Sequence, residues 1–214
     1  MKTGDLINAL VEDRETRGQA PGLSVPFGMR LAAGFVFSLL IFFSFLGVRP
    51  DLDRAILDPH IVFKFLFAGS LFLSLLPLAF YATRPEMKLY PLLWRLLLPV
   101  LVLGAGMAFQ MATTPPDFWI SGMIGRYPGA CLKNIPVLAI GPMVVFLLMM
   151  RAGAPTQPVL SGAIAGGVAG SMGAFIYALH CPDDSALFVA LWYSLAIGIV
   201  TVVGGLLGRF WLRW

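Results

Sequence analysis

Six long stretches without a charged side chain limit what this 214-residue chain can fold into. Eighteen uncharged residues run from Leu31 to Val48, 19 lie between Lys64 and Arg84, 21 between Arg95 and Asp117, and 17 between Lys133 and Arg151. Two more stretches, of 31 and 24 residues, run from Ala152 to Pro182 and between Asp184 and Arg209. A helix needs roughly 20 apolar residues to cross a hydrocarbon layer about 30 Å thick. Apolar and polar residues do not alternate, so a membrane β-barrel is excluded. The expectation is an all-α polytopic membrane protein. Its six transmembrane helices lie near 30–48, 62–82, 93–112, 135–151, 159–180 and 186–208. Charged residues make up only 12% of the chain, and its 23 glycines and 16 prolines suit membrane helices better than a water-soluble bundle. The first stretch follows a long polar tail and lacks the layout of a cleaved signal peptide.

Cations beside the spans predict the orientation. The N-terminal tail, the 2–3 and 4–5 loops and the C-terminus hold Lys2, Arg14, Arg17, Arg30, Arg84, Lys88, Arg95, Arg151, Arg209 and Arg213. The other three loops hold Arg49, Arg54, Lys64, Arg126 and Lys133. The bias of ten to five places both termini in the cytoplasm. The net charge of +4 therefore reports topology and implies no direct nucleic-acid partner. Two units follow: a cytoplasmic tail and linker at 1–28, and a six-helix membrane domain at 29–214.

This topology gathers the reactive side chains. Cys131, in the 3–4 loop just before span four, and Cys181, in the 5–6 loop, both fall on the outer side near the membrane surface. His60 and His180 fall there too, with Asp183 and Asp184 close behind. Thiolates bind soft metals and act as nucleophiles, imidazole is an intermediate ligand, and two thiols can form a disulfide. Cys131 and Cys181 are thus candidate sensing or metal-binding thiols, with His180 a candidate accessory ligand. The alternative is that the cysteines are small apolar fillers or an inert disulfide. No ionisable residue falls mid-span, where proton-coupled carriers keep one. Gln110, Ser38, Ser70, Ser74 and Thr201 are read as bonding to neighbouring backbone or helices. Gly162, Gly166 and Gly170, with Gly173, form a small-residue face on span five. Gly198, Gly204, Gly205 and Gly208 offer the matching surface on span six.

The tail carries an apolar stripe at Leu6, Ile7, Leu10 and Val11, with Asp5 in its first turn. Its charge is −1 from Met1 to Arg17, so it suits a basic soluble partner better than an anionic leaflet.

Three segments carry a family resemblance: MKTGDLINALVED at the start, LMMRAGAPTQPVLSGAIAGGVAG, and YALHCPDDSALFVALWY. They resemble the NrsF-type membrane anti-sigma factors of proteobacteria, most specifically over His180–Tyr193. The resemblance implies an inner-membrane regulator without enzymatic activity. Such a protein holds an extracytoplasmic-function sigma factor and releases it under heavy-metal or oxidative stress. It implies Cys131 and Cys181 as the sensory thiols. Asp5, Leu6, Ile7, Leu10 and Val11 would lie in the sigma-binding segment. No cofactor is required beyond transient heavy-metal binding. The alternatives are a small membrane transporter or metal-efflux accessory protein, which the absence of mid-span charges disfavours, and a membrane thiol oxidoreductase. The latter usually needs closely spaced cysteines.

Overall fold

The computed structural model describes residues 27–55, 58–83, 90–153 and 155–213, together with Thr3, Gly4 and Ile7. Among these residues every regular element is helical. Helix α1 covers Phe27–Phe45, the short α2 Leu52–Ala55, and α3 Pro59–Ala82. A 3₁₀ segment, Tyr90–Leu96, leads into α4, Leu97–Thr113. The short α5 (Trp119–Ile124) precedes α6 (Pro128–Ala152), α7 (Pro158–Tyr177) and α8 (Ala186–Trp211). Six of the helical segments are long and apolar enough to cross a membrane, as the charge-free stretches predict. Of the tail stripe, Asp5, Leu6, Leu10 and Val11 lie outside the described residues.

Proline and capping chemistry set the helix starts. Pro59, Pro128 and Pro158 each occupy the first turn, where the missing N–H costs nothing. The Asp58 carboxylate accepts the His60 N–H at 2.8 Å to cap α3, and Ser185 caps α8. These starts correct the sequence-based bounds. α6 begins at Pro128 rather than near 135, so Cys131 lies in its first turn and not in the preceding loop. The charge of Lys133 does not end the helix, because its side chain remains exposed and its stem can run along the apolar surface. α3 begins at Pro59 rather than near 62, and Lys64 lies inside it.

Helix α7 is the centre of the bundle. It is buried almost continuously from Ser161 to Tyr177, and its small side chains let neighbouring backbones approach. A Cβ at Gly162 would collide with the Gly204 carbonyl and with Gly208, and one at Gly166 with the Val200 carbonyl. The α7–α8 contact therefore runs backbone to backbone, with Gly204 and Gly208 supplying the matching face. Gly173 faces Ile135 and Ala139 of α6, while Gly198 faces open space. α1 packs on α6, where the buried Ser38 hydroxyl donates to the Leu138 carbonyl at 2.9 Å. Ser74, Ser70 and Thr201 also donate to backbone carbonyls, as expected from the sequence. α4 is peripheral, lying against α3 and the start of α8.

Gly166→Val should therefore cost about 1–3 kcal/mol through forced separation of α7 and α8. Gly198→Val should leave stability unchanged, because nothing lies within contact distance there. Thermal unfolding of both variants in detergent checks the contrast.

Candidate functional site

The three connections at one end of the bundle meet around a single loop, residues 178–185. The side chains of His180, Asp183, Asp184 and Ser185 in that loop each reach another segment. The Arg49 N–H donates to the Leu179 carbonyl at 3.0 Å, and the His180 ring Nδ1 lies 2.9 Å from the Gly47 carbonyl. The Asp183 carboxylate accepts the N–H groups of Arg126 and Tyr127 at 3.0–3.2 Å, just before α6. The Gln110 amide, at the end of α4, donates to the Ser185 hydroxyl at 2.8 Å. Its oxygen accepts the N–H groups of Ala186 and Leu187, closing the exposed start of α8. Two glycines in left-handed conformation, Gly47 (φ +73°) and Gly125 (φ +67°), shape the neighbouring turns.

Lys64 anchors this arrangement. Its side chain is 0% exposed, and its ammonium meets the Cys181 carbonyl at 2.8 Å, the Asp183 carbonyl at 3.1 Å and Asp184 Oδ1 at 2.5 Å. An ammonium has three N–H groups, and all three are used. Without those acceptors the buried charge would be prohibitive. Arg49 adds a second bridge to Asp184 at 3.0 Å, and holds Asp51 at 2.7 Å. That hydrogen bond pulls the Asp51 carboxyl down to about 2, and the two carboxylates keep the Arg49 guanidinium protonated.

Both cysteines meet here, Cys181 within the loop and Cys131 in the first turn of α6. Cys131 and Cys181 are each 0% exposed, and both are free thiols. They share one apolar cluster with Ile135, Phe188, Tyr177 and Tyr193, and their sulfurs are close enough to interact directly. The rings of Tyr177 and Tyr193 stand 6.0 Å apart beside them. The Tyr193 hydroxyl faces Cys181 but has no partner at hydrogen-bonding geometry. Tyr193 ends a π-helical turn, Val189–Tyr193, that interrupts α8; such turns often occur at functional sites. Interaction with the Cys131 thiol, followed by the nearby Lys64 charge, pulls the Cys181 thiol below its ordinary range despite burial.

Fifty residues of sequence separation thus end in one pocket, but the two cysteines are enclosed rather than displayed on the surface. The histidine rings have partners of their own. His60 pairs with Asp58 at 3.0 Å near the start of α3, while the His180 ring lies against Tyr177. Among the described residues no group of three or more His, Cys, Asp or Glu side chains could hold a metal ion.

Residues 12–214 match the family described as NrsF, negative regulator of sigma F. The chain belongs to this family. It is 34% identical over 220 residues to the anti-sigma-F factor NrsF of Caulobacter vibrioides (strain NA1000 / CB15N), covering 100% of both chains. It is likewise 34% identical over 219 residues to the probable anti-sigma-F factor NrsF of Azospira oryzae, again covering 100% of each. No solved structure matches it.

In this NrsF-family chain, sequence reasoning missed Lys64, Arg49, Gln110 and Tyr193 as parts of the site. Lys64 was read as a flanking outer charge. A local signal places it in the helix, since Asp58-Pro59 starts α3 and Lys64 falls in its second turn, but the acceptors that bury it come from residues 181–184.

Asp184→Ala should leave the buried ammonium short of its carboxylate. Removing one partner of a fully buried pair costs about 3–5 kcal/mol. Because Asp184 is 27% exposed, about 2–3 kcal/mol is expected, measured as a lowered unfolding temperature in detergent.

Proposed function

We propose that this chain is an inner-membrane anti-sigma factor that sequesters a sigma factor of the extracytoplasmic-function type. In this reading it releases the sigma factor when the Cys131–Cys181 pair is oxidised or captured by a soft metal ion. Membership of the NrsF family and the names of both relatives support the sigma-factor partner. The observation that carries the sensing role is the meeting of two free thiols, from distant parts of the chain, in one polar-capped pocket. A disulfide or thiolate–metal bridge there would tie the start of α6 to the α7–α8 loop. It would also disturb the hydrogen bonds that Lys64, Arg49 and Gln110 make with that loop. Both termini face the cytoplasm and the pocket faces the periplasm, in keeping with the ten-to-five distribution of cations. The tail stripe at Leu6, Ile7, Leu10 and Val11, beginning at Asp5, grips the sigma factor.

Signalling by release needs two packings of the bundle with different partner affinity. The proposed switch supplies a covalent or coordinate difference between them. The chain acts by binding, without catalysing a reaction.

Reporter output from a sigma-dependent promoter tests the sensor in Cys131→Ser, Cys181→Ser and the double variant. Each should lose induction by cadmium or peroxide, and an unchanged response in all three would overturn it. Leu10→Asp removes an apolar anchor worth about 1–3 kcal/mol. It should raise uninduced output and weaken co-purification with the sigma factor; retained capture places the grip elsewhere.

A further inference from the structure

The two thiols of the pocket are not equivalent. Cys181 lies on the loop that Lys64 holds, with the ammonium 2.8 Å from its carbonyl oxygen and entirely out of water. The Tyr193 hydroxyl is fully buried, shares one cluster with that cysteine and has no hydrogen-bond partner. A buried hydroxyl without a partner is costly, so one in a native pocket calls for a ligand or a chemical state that satisfies it. A negatively charged sulfur would do so.

Cys131 is placed differently. A cysteine in the first turn of a helix normally gains thiolate character from the exposed N–H groups there. Here the Asp183 carboxylate is held just before that end of α6 by the Arg126 and Tyr127 N–H groups, and its negative charge offsets the positive potential there. The cation, the orphan hydroxyl donor and the carboxylate beside the start of α6 all favour the same division of labour.

We propose that Lys64 and Tyr193 form an anion-stabilising pair that makes Cys181 the attacking thiol of the pocket and Cys131 the resolving thiol. The inference rests on the oxidant-sensing branch of the proposed function and assigns its order of events. With a peroxide as oxidant, the Cys181 thiolate attacks one peroxide oxygen. An S–O bond forms and the O–O bond breaks. The leaving oxygen departs as an alcohol or water, taking the proton lost by the thiol. Sulfur is oxidised by two electrons and the peroxide is reduced. Cys131 then attacks the Cys181 sulfenic acid. An S–S bond forms and the S–O bond breaks, and the hydroxyl leaves as water with the Cys131 proton. Lys64 acts as a positioning residue through the loop and its charge, and Tyr193 by donating to the sulfur.

The experiment uses full-length protein in membrane vesicles, treated with hydrogen peroxide and trapped with dimedone, with adducts located by peptide mass spectrometry. In Cys131→Ser protein the Cys181 adduct should form about tenfold faster than the Cys131 adduct in Cys181→Ser protein. Tyr193→Phe, which keeps the ring, and Lys64→Met should each slow the Cys181 adduct by about tenfold. Lys64→Met separates this role from a purely structural one by sign. Loosening the loop alone would expose the sulfur and accelerate labelling, whereas loss of the stabilising charge slows it. Faster or equal labelling of Cys131, accelerated labelling in Lys64→Met, or an unchanged rate in Tyr193→Phe would overturn the assignment. In each of those cases, disulfide formation in the unmodified chain would leave the redox reading intact. If neither thiol reacts and no disulfide forms, both the assignment and the redox reading fall.

Discussion

A lysine ammonium with no access to water is the constraint on which this end of the protein depends. The desolvation cost of such a charge is several kcal/mol, so its acceptors cannot be left to chance. Lys64 obtains them from a short stretch of chain: the carbonyls of Cys181 and Asp183 and the carboxylate of Asp184. Those three acceptors fix the α7–α8 loop. Once the loop is fixed, Asp183 reaches the start of α6, Ser185 meets Gln110 of α4, and His180 reaches the turn after α1. The position of the Cys181 sulfur over Cys131 follows from the same anchoring. The lysine therefore does more than add stability, since it determines which groups meet in the pocket.

A second constraint acts along the membrane normal. α7 and α8 touch backbone to backbone at Gly162, Gly166, Gly204 and Gly208, with Ile197 and Val200 of α8 seated against Gly170. Contacts of this type depend on close approach, and small shifts are resisted by few interlocking side chains. The π-helical turn at Val189–Tyr193 adds one irregular stretch to α8, immediately beside the thiols. Within it Tyr193 lies in the cluster of both thiols and Trp192 donates to the Met123 carbonyl at 2.9 Å. In the proposed mechanism this irregular turn is the part of α8 that feels a change in the sulfurs first.

Six spans and the end at which the cysteines meet were legible in the sequence, because hydrophobic length and the alternation of loops require no knowledge of packing. The glycine face of α7 was legible for the same reason: its spacing is a property of one helix. What escaped was pairwise. Lys64 looks like a boundary charge when a span is defined as a run without charges. Only the acceptors brought by residues 181–184, more than a hundred positions away, allow it inside. The start of α6 was misplaced by the same rule, since Lys133 keeps its side chain outside while its backbone is helical. Cys131 was consequently read as a loop residue near the surface. Its burial depends on Tyr177 and Tyr193, which no single-helix pattern connects to it.

The bundle also has a second apolar cluster, at the end opposite the pocket. It joins Ala82 of α3, Phe146 and Met150 of α6, Ile164 of α7 and Leu212 just beyond α8, with Phe27 packed against it. Phe27 sets its ring 5.3 Å from Phe80 and is the first residue of α1, directly after the tail segment. α8 therefore touches both clusters: Val189 and Tyr193 lie in the thiol pocket, and Leu212 follows its last turn. Between them it packs on the glycine face of α7 and, through Val200, against Ala139 of α6. A shift of α8 against that face has the geometry to alter the seat of Phe27 without unfolding any helix. α8, with its π-helical turn beside the thiols, is one of the helices that run from the pocket to the cluster around Phe27, as is α6, which carries both Cys131 and Phe146.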